Sequence, residues 1–476
     1  MKTLKSLPTH IRAVSRLTLL GALIITAPLA APSQSPVLLR TFNNPMPAVD
    51  DYYGMAMAAV HDDHLLVGAS NDDTTATNAG AVYLFHTNGT LLTTFTNPNP
   101  VSPYWDGDQF GSALAALGSD RVLIGAPNEG MVYCFTTNGD LVKAITPTNH
   151  LDRFSFGAAL TAFGNDRVLI GAPNSNFDPD TYLDHGAAYL YSTNGDLVVT
   201  FSNPNPGAAW SFGFSLAAFG SDRVLIGAND YGPGAVYLFS TNGTLLTTIT
   251  NPTPAHWDYF GNSIAAAGTD RILVGAYGDD TLGEDAGTVY VFSTNGTLLT
   301  TITNPTPAAY DYFGARIAIL GTDRVVINAS HDNTTGPEAG SAYVFNLDGT
   351  LLATLNNPAP ANGDLFGFRV AAFGSEGVII GAPFDDAGAT NAGLVYLFGV
   401  PSAPIPPSLT IRRTATNTVA VSWPSTAIGF VLQQNTNGLG SVNWNNVTAG
   451  IQTDGINKAL IVNPTGENRH YRLATP

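Results

Sequence analysis

Paired aspartates recur at corresponding places along the chain, and clustered carboxylates can bind a cation. The pairs are Asp72-Asp73, Asp279-Asp280 and Asp385-Asp386. Calcium takes about six to eight oxygen ligands, so these acids and nearby backbone carbonyls form possible calcium sites. Aspartate side chains also cap tight turns. The residue types leave both roles open, and no other cofactor is predicted.

Four large aromatic residues form a second group with recognition chemistry: Trp105, Trp210, Trp257 and Tyr310. Their flat, amphipathic rings can stack on sugars or anchor a protein partner. The same rings can instead fill space between packed elements of the fold. We take these four residues as candidate ligand-binding residues.

Motifs of the common enzyme classes are absent from the sequence. The chain has no G-x-S-x-G elbow, no H-E-x-x-H and no P-loop, so no catalytic residue is predicted. A glycosidase or lyase, however, needs only carboxylates that meet in space. The sequence therefore favours a binding protein over an enzyme, with a polysaccharide-degrading enzyme as the alternative.

The N-terminal residues indicate an exported protein. Residues 1–31 read as a signal peptide, because four basic residues precede a short apolar run that ends in small residues. Removing those four positive charges changes the formal net charge from −17 to −21, which argues against a nucleic-acid partner. No later segment is long and apolar enough to span a bilayer. We predict a secreted or cell-surface monomer.

Seven internal repeats organise the chain. Each begins with an aromatic residue followed by an anchor glycine, and a second anchor followed by alanine stands fourteen residues later. The first anchors are Gly54, Gly111, Gly157, Gly213, Gly261, Gly314 and Gly367. The second anchors are Gly68, Gly125, Gly171, Gly227, Gly275, Asn328 and Gly381. The spacing between repeats varies from 46 to 57 residues, so length variation is confined to particular loops.

Each repeat contains four strand-like runs separated by turn residues, as in residues 213–252. Such units predict an all-β fold with a seven-bladed β-propeller over residues 37–399. Loops between strands two and three, and between strands four and one, emerge on one face. Because those loops vary in length and carry the acids and aromatics, this variable-loop face is the predicted ligand face.

The two ends of the repeat region predict how the ring closes. The last repeat lacks a fourth strand, whereas residues 37–43 match the fourth strands of other repeats. We therefore predict that this N-terminal strand completes the last blade and protects its edge. The single cysteine, Cys134, falls at a strand position and is predicted to be a small buried hydrophobe.

An aspartate stands three residues before the first anchor glycine in five repeats: Asp51, Asp108, Asp258, Asp311 and Asp364. Recurrence in most repeats indicates a shared structural task. We predict that these carboxylates accept backbone hydrogen bonds where the chain crosses from one blade to the next.

These motifs resemble the FG-GAP repeat family, which includes the propeller of integrin α chains and multi-repeat proteins exported by bacteria. Phe366-Gly367, Gly381-Ala382-Pro383 and Asp385-Asp386, followed by the run from Gly393 to Phe398, occur in the family's order. The resemblance implies a propeller that acts in adhesion or ligand recognition. The D-x-D-x-D-G calcium loop of integrin-type repeats is not found in this sequence.

The C-terminal part of the chain has a different character. Residues 400–407 are rich in proline and predict a linker, and residues 408–476 contain short strand-like runs typical of a small β-sandwich-like domain. Together with the repeats, this organisation predicts a secreted or cell-surface recognition or adhesion protein that binds an extracellular glycan or protein. A purely structural envelope protein is a further alternative.

Overall fold

The computed structural model describes residues 35–100, 107–148, 153, 155–175, 177–178, 183–205, 211–229, 232–401, 409–414, 416, 418–424, 431–435, 444–453, 457–463 and 469–474. The predicted signal peptide, Trp105 and Trp210 lie outside these residues. Contacts divide the chain into a unit of residues 34–401 and a second unit that includes residues 402–476. No helix in the described ranges has the length and apolarity of a membrane span.

Seven four-stranded antiparallel sheets build the described part of the first unit. Sheets 1 and 2 contain β2 (Tyr53–Val60), β3 (His64–Ala69), β4 (Ala81–His86), β5 (Leu91–Thr96), β6 (Ala113–Leu117), β7 (Arg121–Ala126), β8 (Met131–Thr136) and β9 (Leu141–Ile145). Sheet 3 contains β10 (Ala159–Phe163), β11 (Arg167–Ala172), β14 (Ala187–Ser192) and β15 (Leu197–Ser202), with a short hairpin of β12 (Phe177–Asp178) and β13 (Leu183–Asp184).

The remaining sheets follow the same order. Sheets 4 and 5 contain β16 (Ser215–Phe219), β17 (Arg223–Ala228), β18 (Ala235–Ser240), β19 (Leu245–Thr250), β20 (Ser263–Ala267), β21 (Arg271–Ala276), β22 (Thr288–Ser293) and β23 (Leu298–Thr303). Sheets 6 and 7 contain β24 (Ile317–Leu320), β25 (Arg324–Ala329), β26 (Ser341–Asn346), β27 (Leu351–Asn356), β28 (Arg369–Phe373), β29 (Gly377–Ala382), β30 (Leu394–Gly399) and β1 (Val37–Asn43).

The sheets form a closed ring, which confirms the predicted β-propeller. The first strand of each sheet contacts the first strand of the next, and β28 of the last sheet contacts β2 of the first. Apolar side chains fill the space between neighbouring sheets, so the second and third strands are buried along nearly their whole length. Cys134 lies in one of these cores, as predicted, and burial raises the pKa of its thiol.

The N-terminal strand closes the ring as predicted. Strand β1 pairs antiparallel with β30, from Val37 opposite Gly399 to Asn43 opposite Leu394. Phe42 is the buried side chain of this strand and packs against Phe85 with a ring-centroid distance of 5.4 Å. The outer edge of sheet 7 is therefore supplied by the beginning of the repeat region rather than by its end.

The repeated glycines set the distance between adjacent sheets. Gly111 has a φ of +93°, a conformation that side chains other than glycine rarely adopt. Its carbonyl oxygen would lie 2.1 Å from a Cβ placed on Gly68 of the preceding sheet. The constant spacing between anchors in the sequence thus reflects close backbone contact between sheets.

The C-terminal unit contains two small sheets within its described residues. One joins β31 (Thr410–Arg413), β32 (Val419–Pro424), β36 (Asn457–Val462) and β35 (Ile451–Thr453), and the other joins β34 (Asn445–Asn446), β33 (Val431–Asn435) and β37 (His470–Ala474). Buried side chains from both sheets form one core: Val421, Trp423, Leu432, Leu460 and Tyr471.

Candidate functional site

The recurring crossover aspartates hold the chain where it passes between sheets. The Oδ2 atom of Asp258 accepts hydrogen bonds from Asn251 Nδ2 (2.6 Å) and from the backbone N–H of Ala255 (2.7 Å). Asp51, Asp311 and Asp364 accept the equivalent backbone bonds. The predicted structural role is confirmed for these four acids. Burial raises the pKa of Asp51 and of Asp311 to about 6, and a neighbouring carboxylate acts in the same direction.

The paired aspartates proposed as calcium ligands lie in the loops after the second strands, where their oxygens accept hydrogen bonds. Asp72 is buried, and it accepts bonds from the backbone N–H of Thr74 (2.8 Å) and from the hydroxyl of Tyr83 (2.5 Å). Asp279 and Asp385 are buried in the same way and accept the corresponding bonds.

The second acid of each pair is exposed and caps the same loop. Asp73, Asp280 and Asp386 each accept a hydrogen bond from the backbone N–H five residues later. No group of three or more metal-ligating side chains occurs in the described ranges. The geometry therefore gives these six acids a turn-capping task, and calcium binding stays a prediction for experiment.

Two of the four candidate aromatic residues are described, and both are exposed rather than packed between sheets. Trp257 is 52% exposed and Tyr310 is 44% exposed, and both lie in crossover loops. Their φ angles of 72° and 67° place them in the left-handed region, which is rare for bulky residues. The equivalent residues of other repeats, Asp50, Gly107 and Gly363, also have positive φ angles, so this conformation belongs to the crossover turn.

An open cavity of about 450 Å³ lies beside these rings, on the variable-loop face. Its lining comes from residues that open the first strands or follow the second strands of sheets 4 to 7, and antiparallel pairing brings those strand ends to one face. The lining residues are Phe214, Tyr259, Asn262, Tyr277, Asp285, Tyr312, Ala315, Arg316, Asn328, Ser330, His331, Phe368 and Arg369.

Aromatic side chains connect the exposed rim with the cavity. Trp257 contacts Tyr259 (6.2 Å between ring centroids), and Tyr259 stacks on Tyr277 at 4.7 Å with nearly parallel planes. Tyr277 contacts Tyr312 edge-on at 5.6 Å, and Tyr312 contacts Tyr310 at 6.4 Å. Five rings therefore form one continuous array from one exposed aromatic residue, through the cavity wall, to the other.

Two arginines give the cavity a local positive charge. Arg316 and Arg369 stand two residues after the first anchor glycines of their repeats and are half-buried. Burial lowers the pKa of Arg316 to about 10, and burial together with the charge of Arg316 lowers the pKa of Arg369 well below its usual value. A pKa of about 10 leaves the Arg316 guanidinium charged at neutral pH. The recorded hydrogen bonds of the two guanidinium groups run to the carbonyls of Ala315 and Phe368, the preceding residues.

Asn328 supplies a polar group with an unused donor at the cavity. It is fully buried, and its Oδ1 atom accepts a hydrogen bond from the backbone N–H of Arg316 at 2.7 Å. Its Nδ2 group is buried and has no hydrogen-bond partner. A buried amide donor without a partner costs free energy, and an acceptor that reached this donor would recover that cost.

Repeats of one family build this cavity. A model described as FG-GAP repeat matches residues 47–85, 246–292, 298–345 and 352–398. The chain carries FG-GAP repeats. The last three FG-GAP segments contain the five aromatic rings, Asn328 and both cavity arginines, so the site is a product of consecutive repeats.

Solved structures of low sequence identity share the propeller fold of residues 34–401. A streptogramin B lyase aligns with a TM-score of 0.54 and 11% identity, covering 77% of this chain and 98% of the lyase. Inactive virginiamycin B lyase from Staphylococcus aureus with quinupristin gives 0.52 and 12%, over 76% and 99%. The WD40 propeller domain of Doa1 gives 0.50 and 14%, over 77% and 98%. These similarities concern the fold alone, and no curated protein matches the sequence.

Sequence reasoning missed the cavity residues, although the repeats contain a signal for them. The position two residues after the first anchor glycine holds alanine or serine in the first five repeats and arginine in the last two. Asn328 is likewise the single non-glycine among the second anchors. These departures from the repeat pattern meet at one cavity.

Proposed function

We propose that this protein is a secreted or cell-surface recognition protein that binds an extracellular glycan or protein through the variable-loop face of its propeller. One observation carries the proposal: five aromatic rings run from two exposed side chains through an open cavity. The cavity volume falls within the range of roughly 300 to 1,000 Å³ that is usual for ligand sites.

The exposure of the two rim rings supports a binding role. Trp257 and Tyr310 remain about half exposed, although each contacts a tyrosine that lines the cavity. Contact with a ligand would bury the apolar surface of these rings, and that burial would stabilise the complex.

The rigid setting of the site supports selective binding. Closure of the ring by β1 fixes the sheets, while loops of unequal length project from one face. A fixed scaffold reduces the conformational entropy lost when a ligand is bound. The signal-like residues 1–31 support export, and sequencing the N-terminus of the mature protein tests that part of the proposal.

Binding of the full exported chain to an array of glycans and surface proteins tests the function. We expect saturable binding that Trp257→Ala and Tyr310→Ala weaken by about 2 kcal/mol or more, as for central aromatic contacts at other interfaces. Leu246→Ala is the control, because Leu246 is equally exposed but lies on the outer strand β19. Unchanged binding by both aromatic variants would contradict the proposal.

A polysaccharide-degrading enzyme is the second candidate, because two acid–base groups line the same cavity. Burial raises the pKa of Asp285 and lowers that of His331. Such shifted groups in a cleft are a feature of many catalytic sites. Incubation with diverse plant and algal polysaccharides distinguishes the candidates. New reducing ends or unsaturated products would favour the enzyme, and binding without product favours recognition.

A further inference from the structure

We propose that the cavity is an anion site for an acidic glycan, in which Arg316, Asn328 and Arg369 hold a carboxylate or sulfate group. The stacked tyrosines would contact the sugar rings that carry it. This inference rests on the proposed recognition function and names the ligand class of the same site.

The charge of the cavity lining favours an anion. Neither Arg316 nor Arg369 forms a salt bridge among the described residues, whereas arginines on the opposite face, such as Arg121 and Arg223, pair with adjacent aspartates. Asp285 is the sole acid among the described lining residues. Two neighbouring, partly desolvated cations repel each other, and a bound anion would compensate both.

The hydrogen-bond donors of the cavity match the oxygens of an anion. Guanidinium groups present several N–H donors in a planar arrangement that matches carboxylate and sulfate oxygens. The unpartnered Nδ2 group of Asn328 adds a neutral donor, and the Oδ1 atom of Asn328 holds the backbone N–H of Arg316, just before β24, through a 2.7 Å hydrogen bond. All three donor residues line the same cavity. The arginine side chains have no acceptor, and the one side-chain acceptor, Asn328 Oδ1, is already bonded.

The aromatic array favours a sugar over a small inorganic anion. A free phosphate or sulfate would use the arginines but would leave the Tyr259–Tyr277 stack and the rim residues Trp257 and Tyr310 without contacts. A chain of sugar rings bearing acidic groups uses both features, because its flat apolar faces pack on aromatic rings while its anions meet the arginines.

The net charge of the protein makes local recognition necessary. A formal charge of −17 repels polyanions at long range, so non-specific electrostatic attraction cannot account for acidic-glycan binding. Any such binding must come from short-range contacts with a cationic site. The described cavity supplies one through residues that depart from the repeat pattern.

The experiment measures binding of the full chain to polygalacturonate, a sulfated galactan and a neutral glucan. We expect at least one acidic polysaccharide to bind and the neutral one not to bind. Arg316→Gln combined with Arg369→Gln should weaken that binding by roughly 10- to 100-fold. Arg121→Gln combined with Arg223→Gln removes the same charge on the opposite face and should leave it unchanged.

Asn328→Gly provides a variant that restores the glycine of the other repeats and is therefore expected to fold. Because the substitution also removes the hydrogen bond to the Arg316 backbone, we expect weaker acidic-glycan binding and a lower melting temperature that still lies above the temperature of the assay.

Preference for polygalacturonate identifies the bound anion as a carboxylate, and preference for the sulfated galactan identifies it as a sulfate. Equal binding of the neutral glucan, or full binding by the double arginine variant, would overturn the anion site while leaving recognition intact. If the unsubstituted chain bound none of the glycans and proteins tested, the recognition function itself would be overturned.

Discussion

Aspartates in the crossovers and in the loops after the second strands of this propeller accept hydrogen bonds from the backbone. Crossover acids such as Asp258 and loop acids such as Asp72 accept hydrogen bonds from backbone N–H groups and from asparagine or tyrosine side chains. The backbone task was predictable from recurrence alone. The side-chain partners were not predicted, because only the folded loop shows that Asn251 reaches Asp258, seven residues later, and that Tyr83 reaches Asp72, eleven residues earlier.

Ionisation of Asp311 should lower the stability of the folded protein as pH rises. The folded-state pKa is raised to about 6, above the unfolded value near 4, so the folded state binds this proton more tightly. The associated stability is present below about pH 4 and is lost as pH rises through about 6. Asp311→Asn retains an acceptor oxygen but cannot ionise.

We therefore expect the free energy of unfolding of Asp311→Asn to rise by about 1 to 2 kcal/mol, relative to that of the parent, as the pH is raised from 4 to 7. Denaturant unfolding at the two pH values measures the difference. Asp323→Asn, in an exposed turn, is the control and should show no such gain. Parallel stability profiles of the parent and Asp311→Asn would contradict the prediction.

Removal of calcium should leave stability unchanged, because the buried acids of the pairs already accept two hydrogen bonds each. A calcium site present in hundredfold excess over its dissociation constant would add roughly 3 kcal/mol. Melting temperatures with calcium and with chelator distinguish the two cases. A clear drop with chelator would make Asp72, Asp279 and Asp385 candidate ligands again.

Strands were the most predictable elements of this chain. In the repeat of residues 213–252, the four predicted strand-like runs form the strands β16 to β19, because turn residues separate the apolar runs. The short strands β34 and β35 of the C-terminal unit were not predicted. They have two and three residues and no apolar pattern, so only pairing with neighbouring strands defines them.

Strand β1 should contribute strongly to the stability of the ring. Phe42→Ala removes a side chain that is 2% exposed between the first and last sheets, and we expect a loss of about 3 to 5 kcal/mol. Leu39→Ala on the same strand is the control, because Leu39 is 57% exposed. Denaturant unfolding provides the comparison. Equal effects of the two substitutions would show that β1 is not packed as described.

The closed ring places residues from distant repeats around one cavity. Ring closure and the four-strand pattern were predictable, because each repeat carries its own turn signals and anchor glycines. The cavity was not, since its walls come from sheets 4 to 7 and depend on how neighbouring first strands approach one another. Its residues are visible in the sequence only as exceptions to the repeat, at Arg316, Asn328 and Arg369.

A crystal structure of the full chain with its best-binding oligosaccharide tests most directly whether the variable-loop face is the recognition site. We expect sugar density in the cavity, with rings against Tyr259 or Tyr312 and contacts reaching Trp257 or Tyr310. Density confined to the opposite face of the propeller, or to the C-terminal unit, would contradict the assignment of the site.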